Sequence, residues 1–122
     1  MTWKNFTRDE FACKCGCGTN EIKDEAIDLA QEVRDEVGFA MPITSGYRCP
    51  NHPEERAKAK PGSHAKGLAF DVGVSGGKAR QITKVLLSKS AGGVGVHQKG
   101  NHSGRFIHGD VSQDRIGLFW TY

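Results

Sequence analysis

Residues 62–72 read GSHAKGLAFDV, and no other stretch constrains the fold as tightly. Gly62 and Ser63 open a turn, Gly67 permits a reversal, and the apolar run that follows is broken by a single aspartate, Asp71. Successive side chains of a strand point to opposite faces, so an aspartate inside such a run needs a polar reason. If the chain turns at Lys66–Gly67 and returns along a strand, His64 and Asp71 can reach one point. Imidazole nitrogen and carboxylate oxygen are both zinc ligands, and a catalytic zinc takes three protein ligands and leaves one position for water. The competing explanation is that His64 caps a loop and Asp71 ends a strand, each satisfied by nearby backbone. Residue by residue that explanation is the commoner one; the set taken together favours a metal.

The third ligand is expected from RFIHGDV, residues 105–111. His108 and Asp110 are two apart and share a face of a strand, while Ile107 and Val111 point away. Metal ligation by His108, with Asp110 as its hydrogen-bond partner or as a base, would account for both.

The rest of the chain supplies a frame. KDEAIDLAQEVRDEVG predicts a helix over 24–37, with Ala26, Ala30, Val33 and Val37 at helical spacing and Leu29 on the flank of the stripe. Its acidic start and Gly38 at its end fit a helix. GGKARQITKVLLSKS predicts a second helix with Ile82, Val85 and Leu86 inward. MPITS, KGLAFDVGV, GVGVH and RFIHGDV read as strands, GLFWTY as a last strand or extended cover, and Thr7 to Phe11 as a helical turn. YRCPNHPEERAKAKPGS, with three prolines, reads as an irregular connection. Strands and helices do not alternate strictly, so the expected class is α+β, with a small antiparallel sheet. At 122 residues the chain is expected to be one domain, 1–122, with a core of its own.

The formal charge of +3 is mild and suits contact with an anionic polymer such as a cell wall. RAKAKPGSHAK is basic but has no interleaved aromatics, so a nucleic-acid partner is not expected. No apolar run is long enough for a membrane helix, so membrane insertion is not expected either. MTWKNFTRDEF is polar and lacks a signal-peptide pattern, so synthesis in the cytoplasm without a signal peptide is the expectation.

ITSGYRCPNH, GSHAKGLAFDVGV and GVGVH followed by RFIHGDV together resemble the zinc D-Ala-D-Ala carboxypeptidases of the hedgehog/DD-peptidase fold, above all their small phage and prophage members. The resemblance runs from about residue 3 to residue 112 and includes the opening FACKCGCG. Against the family pattern S-x-H-x-x-G-x-A-x-D, His64, Gly67, Ala69 and Asp71 fall in register, and the family serine falls on Gly62. The resemblance implies helices packed on one side of the sheet and a catalytic zinc on His64, Asp71 and His108. It implies that Arg48, in SGYR, contacts a substrate carbonyl or carboxylate, a task for which its planar fork is suited, with Tyr47 beside it at the substrate. Several relatives carry a carboxylate three residues before the last zinc histidine, where this chain has Arg105. Asp110 and His102 are then the candidates for the base, and His97 is a candidate for a contact with the substrate or its oxyanion.

The implied activity is hydrolysis of peptidoglycan stem peptides or cross-links, at a D-Ala-D-Ala or L-Ala-D-Glu type bond, by a monomeric phage or prophage lysis protein. Such a protein reaches the wall through a holin-opened membrane or as part of a virion. The alternative is an inactive zinc-containing wall-binding module of the same fold.

Cys13, Cys15, Cys17 and Cys49 remain. C-x-C-G-C is tighter than a standard zinc ribbon, which separates its ligands by two or more residues. A second, structural zinc on four thiolates, one or two disulfides, or free buried thiols are all open readings, of which a structural role tying the N-terminal segment to the GYRC loop is favoured.

Overall fold

The structure, a computed structural model, describes residues 2–122. Helix α1, Asp24–Val37, has Asp24 and Glu25 in its first turn and stops at Gly38, whose φ of 75° is the left-handed conformation that ends helices. It buries Ala26, Ile27, Leu29, Ala30 and Val33, while Val37 is only half-buried. Ile27 widens the stripe read from the sequence because α1 touches two neighbours, the sheet and the second helix. That helix, α2, spans Gly76–Lys89 and buries Ala79, Ile82 and Leu86, with Val85 partly covered.

Five strands form one sheet: β1 Ile43–Ser45, β2 Ala69–Val72, β3 Val94–His97, β4 Phe106–Asp110 and β5 Phe119–Thr121, in the order β1-β2-β4-β3-β5. All pairs are antiparallel except β3 with β5. The exception follows from the order: the chain leaves β4 through the 3₁₀ turn Gln113–Arg115, reverses, and reaches the far edge of β3 beside its first residue, Val94, which leaves β5 running with β3. The polar connection between β1 and β2 is irregular, as its prolines require, and is closed by turns such as His52 N–H to Cys49 O and Glu55 N–H to His52 O.

β2 is shorter than the apolar run that contains it, because residues 64–67 are spent on the turn. Gly67 N–H donates to His64 O. Gly67 has φ 73°, and a Cβ there would lie 2.1 Å from Glu21 O, so only glycine fits.

The sheet has two unlike faces. Phe70, Val72, Val94 and Ile107 pack with the helices in the core, and Gly109 lies under Leu86. Phe70 is fully buried; truncating such a side chain to alanine costs about 3–5 kcal/mol. Ala69, Asp71, His108 and Asp110 are on the other face, and all four are buried. Among the described residues no helix is long and apolar enough to cross a membrane.

Candidate functional site

Strand register accounts for the meeting of residues far apart in sequence. Asp71 of β2 lies directly opposite His108 of β4, and Ala69 opposite Asp110. The turn before β2 swings His64 over the same spot. Three donor atoms form a near-equilateral triangle: His64 Nε2 to His108 Nδ1 is 3.2 Å, His108 Nδ1 to Asp71 Oδ1 is 3.1 Å, and His64 Nε2 to Asp71 Oδ1 is 3.2 Å. All three residues are buried, at 6%, 4% and 2% exposure for His64, Asp71 and His108.

The outer nitrogens decide what this triangle can hold. His64 Nδ1 lies 2.8 Å from Gly46 O, which can only accept, so the ring donates its N–H there. His108 Nε2 lies 2.7 Å from Asp110 Oδ2 and donates to it in the same way. In the neutral rings, His64 Nε2 and His108 Nδ1 therefore present lone pairs, and both face a carboxylate oxygen. Three lone pairs at this spacing repel unless a cation lies among them. Tetrahedral zinc with bonds of about 2.0–2.1 Å needs donors roughly 3.3 Å apart, so the donor set fits that ion in chemistry and in spacing.

When a proton rather than a metal ion lies among these atoms, the rings become donors to Asp71 and the charges respond accordingly. Burial pushes the Asp71 carboxyl up, but hydrogen bonds from His108 and His64 outweigh it and hold the group well below the usual carboxylate range. Burial pulls His108 down, and its bonds to Asp110 and Asp71 more than reverse that. Asp110 is raised by burial and lowered further by His108 and the amides of Gly93 and Ser112.

Asp110 is 1% exposed. Its Oδ1 accepts the N–H groups of Gly93 and Ser112, at 2.8 and 3.1 Å, and its Oδ2 accepts His108. It stands behind the ligand, with both oxygens engaged. Arg48 is in front: one terminal nitrogen is 3.5 Å from Asp71 Oδ2, the other 3.5 Å from Glu55 Oε2, and Nε donates to Ser45 Oγ. Glu55, buried and also paired with Lys58, was not legible as a site residue, because PEER within a proline-rich loop reads as a solvated charge run.

The structure does not bring Tyr47 to this face. It is in the core, its hydroxyl donates to Glu21, and burial together with that carboxylate pushes its pKa up to about 12. His97 shares the face of His108 and stacks on Phe106 with an interplanar angle of 7°; its buried Nδ1 has no partner among the described residues. His102 is exposed on the 3₁₀ turn His102–Gly104, with Nδ1 3.4 Å from Ser75 Oγ. Arg105 turns back onto Gly100 O.

The sequence reading also missed Trp120. It pairs with Gly95 across β3–β5, its ring centroid is 5.1 Å from that of His108, and it covers the glycine strip of β3. A Cβ on Gly95 would lie 2.6 Å from its indole nitrogen. Alternation in GLFWTY could have placed Trp120 and Tyr122 on one face, but not which face.

Apart from this triad, one other group of metal-ligating side chains converges among the described residues: Cys13, Cys15, Cys17 and Cys49. All four are free thiols.

Comparison with known proteins bears on the same residues. The sequence pattern of the family described as Peptidase M15 matches residues 4–110. The chain is 36% identical over 118 residues to the peptidoglycan L,D-endopeptidase MepK of Escherichia coli (strain K12), and equally to the protein of that name from Shigella flexneri. The match covers 91% of this chain and 60% of theirs, so the chain spans about three-fifths of the length of these relatives. No solved structure matches.

Proposed function

Since the chain belongs to the peptidase M15 family, we propose that it is a zinc-dependent peptidase acting on the peptide part of peptidoglycan. The observation that carries this reading is the triangle of lone pairs on His64, Asp71 and His108, each outer nitrogen already committed elsewhere. The name of the similar enterobacterial protein, an L,D-endopeptidase of peptidoglycan, supports the substrate class and favours an internal cut over release of a terminal residue. Use in wall lysis by a phage or prophage is part of the reading and rests on the sequence resemblance alone.

A zinc ion bound to the triad would supply a Lewis acid that brings the pKa of water towards 7 and polarises the scissile carbonyl. The chain's own residues do the rest. Asp110 and Gly46 O fix the tautomers of His108 and His64, so that the correct nitrogens face the ion. Asp110 acts as a positioning residue, because it is buried and both of its oxygens already accept hydrogen bonds. Arg48 is held by Glu55, Ser45 and Asp71 and keeps a partly exposed edge, with 14% of its side chain accessible. From there it offers N–H groups to a substrate carbonyl or carboxylate where negative charge develops. His102, exposed on its turn, is the remaining candidate to receive the proton and return it to the leaving amine. His97, beside Tyr122 and Phe106, contacts the substrate.

Digestion of purified peptidoglycan, with products read by mass spectrometry, tests this. Cleaved stem peptides or cross-links are expected, lost with chelator and restored by zinc. A zinc-loaded protein that leaves every bond intact while still binding the wall would instead establish the non-hydrolytic module.

A further inference from the structure

We infer that Cys13, Cys15, Cys17 and Cys49 form a second metal centre, a closed four-thiolate site for zinc(II), which braces the loop carrying Arg48. The four sulfurs lie within 4.8 Å of one another. Cys13 Sγ to Cys15 Sγ is 3.4 Å and Cys15 Sγ to Cys49 Sγ is 3.3 Å. A disulfide would need about 2.05 Å, whereas tetrahedral zinc with bonds of about 2.3 Å places its sulfurs roughly 3.8 Å apart. Three of the four come from five consecutive residues, which the chain manages through left-handed turns at Gly16, φ 96°, and Gly18, φ 75°.

The surroundings suit thiolates. Cys17 Sγ is approached by the hydroxyl of Thr19 at 2.9 Å and its amide at 3.4 Å, and Cys13 Sγ accepts the amide of Cys49 at 3.3 Å. Donors around the sulfurs are what a thiolate ligand needs and what a thiol packed as a hydrophobe does not. Little else holds this segment among the described residues: from Lys14 to Thr19 every residue is exposed, the Cys13 N–H to Thr19 O bond is its one backbone closure to itself, and the Lys14 ammonium donates to Glu10 O. Convergence of four sulfurs in a segment with so little burial asks for a bond to hold it, and a soft tetrahedral S₄ set selects zinc among common divalent ions.

The centre also has a place in the site's architecture. Cys49 directly follows Arg48, and Arg48 N–H donates to His64 O. Fixing Cys49 to the Cys13–Cys17 loop thus fixes the backbone from which Arg48 reaches Asp71. This positioning role rests on the peptidase reading; the metal site does not.

The test is metal content and thiol count on protein purified without chelator. Two zinc equivalents and four titratable thiols are expected for the native chain. Cys17→Ser, at an exposed ligand, and His64→Ala should each keep one equivalent. Cobalt replacement should give intense thiolate-to-cobalt charge-transfer bands in the native chain and in His64→Ala, and lose most of them in Cys17→Ser. A single equivalent that disappears in His64→Ala, or fewer than four thiols with a mass lower by a pair of hydrogens, overturns the thiolate centre and leaves the peptidase reading standing. A single equivalent that survives His64→Ala does the reverse. For the positioning role, Cys17→Ser should lower kcat/KM about tenfold, and its loss should be non-additive with that of Arg48→Ala; additive losses would confine the centre to holding the fold.

Discussion

The two places where ligand atoms converge are built in opposite ways. The His64–Asp71–His108 triangle sits on paired strands, beneath two percent to six percent exposure, and its outer atoms are tied to Gly46 and Asp110. The cysteine group sits on turns, with Cys15 and Cys17 exposed and only Cys13 and Cys49 buried. The backbone that carries the first is set by sheet register, whether or not an ion is bound. The second has almost no packing, so an ion there would add to folding free energy itself. Rigid support suits chemistry, which needs geometry prepared in advance; a loop clamp suits a brace.

The sharpest way to break this comparison is to remove one ligand of each kind. Asp71→Ala should reduce kcat/KM on peptidoglycan fragments by at least about 10³-fold, the scale on which transition-state electrostatics are lost, with little change in circular dichroism. An active Asp71→Ala protein would show that the triangle is not the catalytic centre. On the loop side, a chelator strong enough to strip thiolate-bound zinc should lower the melting temperature of Asp71→Ala protein. A ligand held at a hundred times its Kd contributes about 2.7 kcal/mol, or roughly 10 °C in a domain of this size. An unchanged melting curve would remove the distinction.

Asp110→Asn probes the support of the triangle rather than its ligands. Asparagine would turn an N–H₂ group either towards His108 Nε2–H or towards the amides of Gly93 and Ser112, and either choice sets donor against donor. The outcome expected is a zinc affinity about 10–100-fold weaker, measured by competition with a chromophoric chelator. Restored activity at high zinc would separate this from loss of a base, which metal cannot replace.

The smallest effect concerns Glu55, which anchors Arg48 between the two centres. Burial raises its carboxyl, but Lys58, the Gly62 amide and Arg48 bring it below the ordinary value. A carboxyl whose folded pKa is depressed stabilises the fold above its unfolded value of about 4.3, and that contribution is lost as pH falls through the lower folded value. Glu55→Gln should therefore cost about 1–2 kcal/mol at neutral pH and converge with the native chain in acid, as urea melts at several pH values would show. A deficit independent of pH would mean that Glu55 acts through shape and not charge.

How much of this was legible in the sequence varied with the range of the interaction. Helix α1 was written in its periodicity and its Gly38 stop, and the faces of His108 and Asp110 in a two-residue spacing. That Asp71 should lie opposite His108 was not, because alternation fixes a face but not the register between strands. The role of Glu55 depends on a fold of the proline-rich loop that no local signal encodes. The parallel placement of β5, and with it Trp120 against His108, follows from the order of strands in the sheet, which is a tertiary property. Tyr47 shows the converse: adjacency to Arg48 suggested the substrate side, yet consecutive residues in extended chain face opposite ways, and Tyr47 faces the core.

The most direct measurement is a crystal structure of the native chain with anomalous scattering recorded at the zinc edge. Two peaks are expected, one bounded by His64 Nε2, Asp71 Oδ1 and His108 Nδ1, the other among the four sulfurs. A structure in which the triangle carries no peak, or in which His108 binds the metal through Nε2 with Asp110 as a ligand, would contradict the site as it is described.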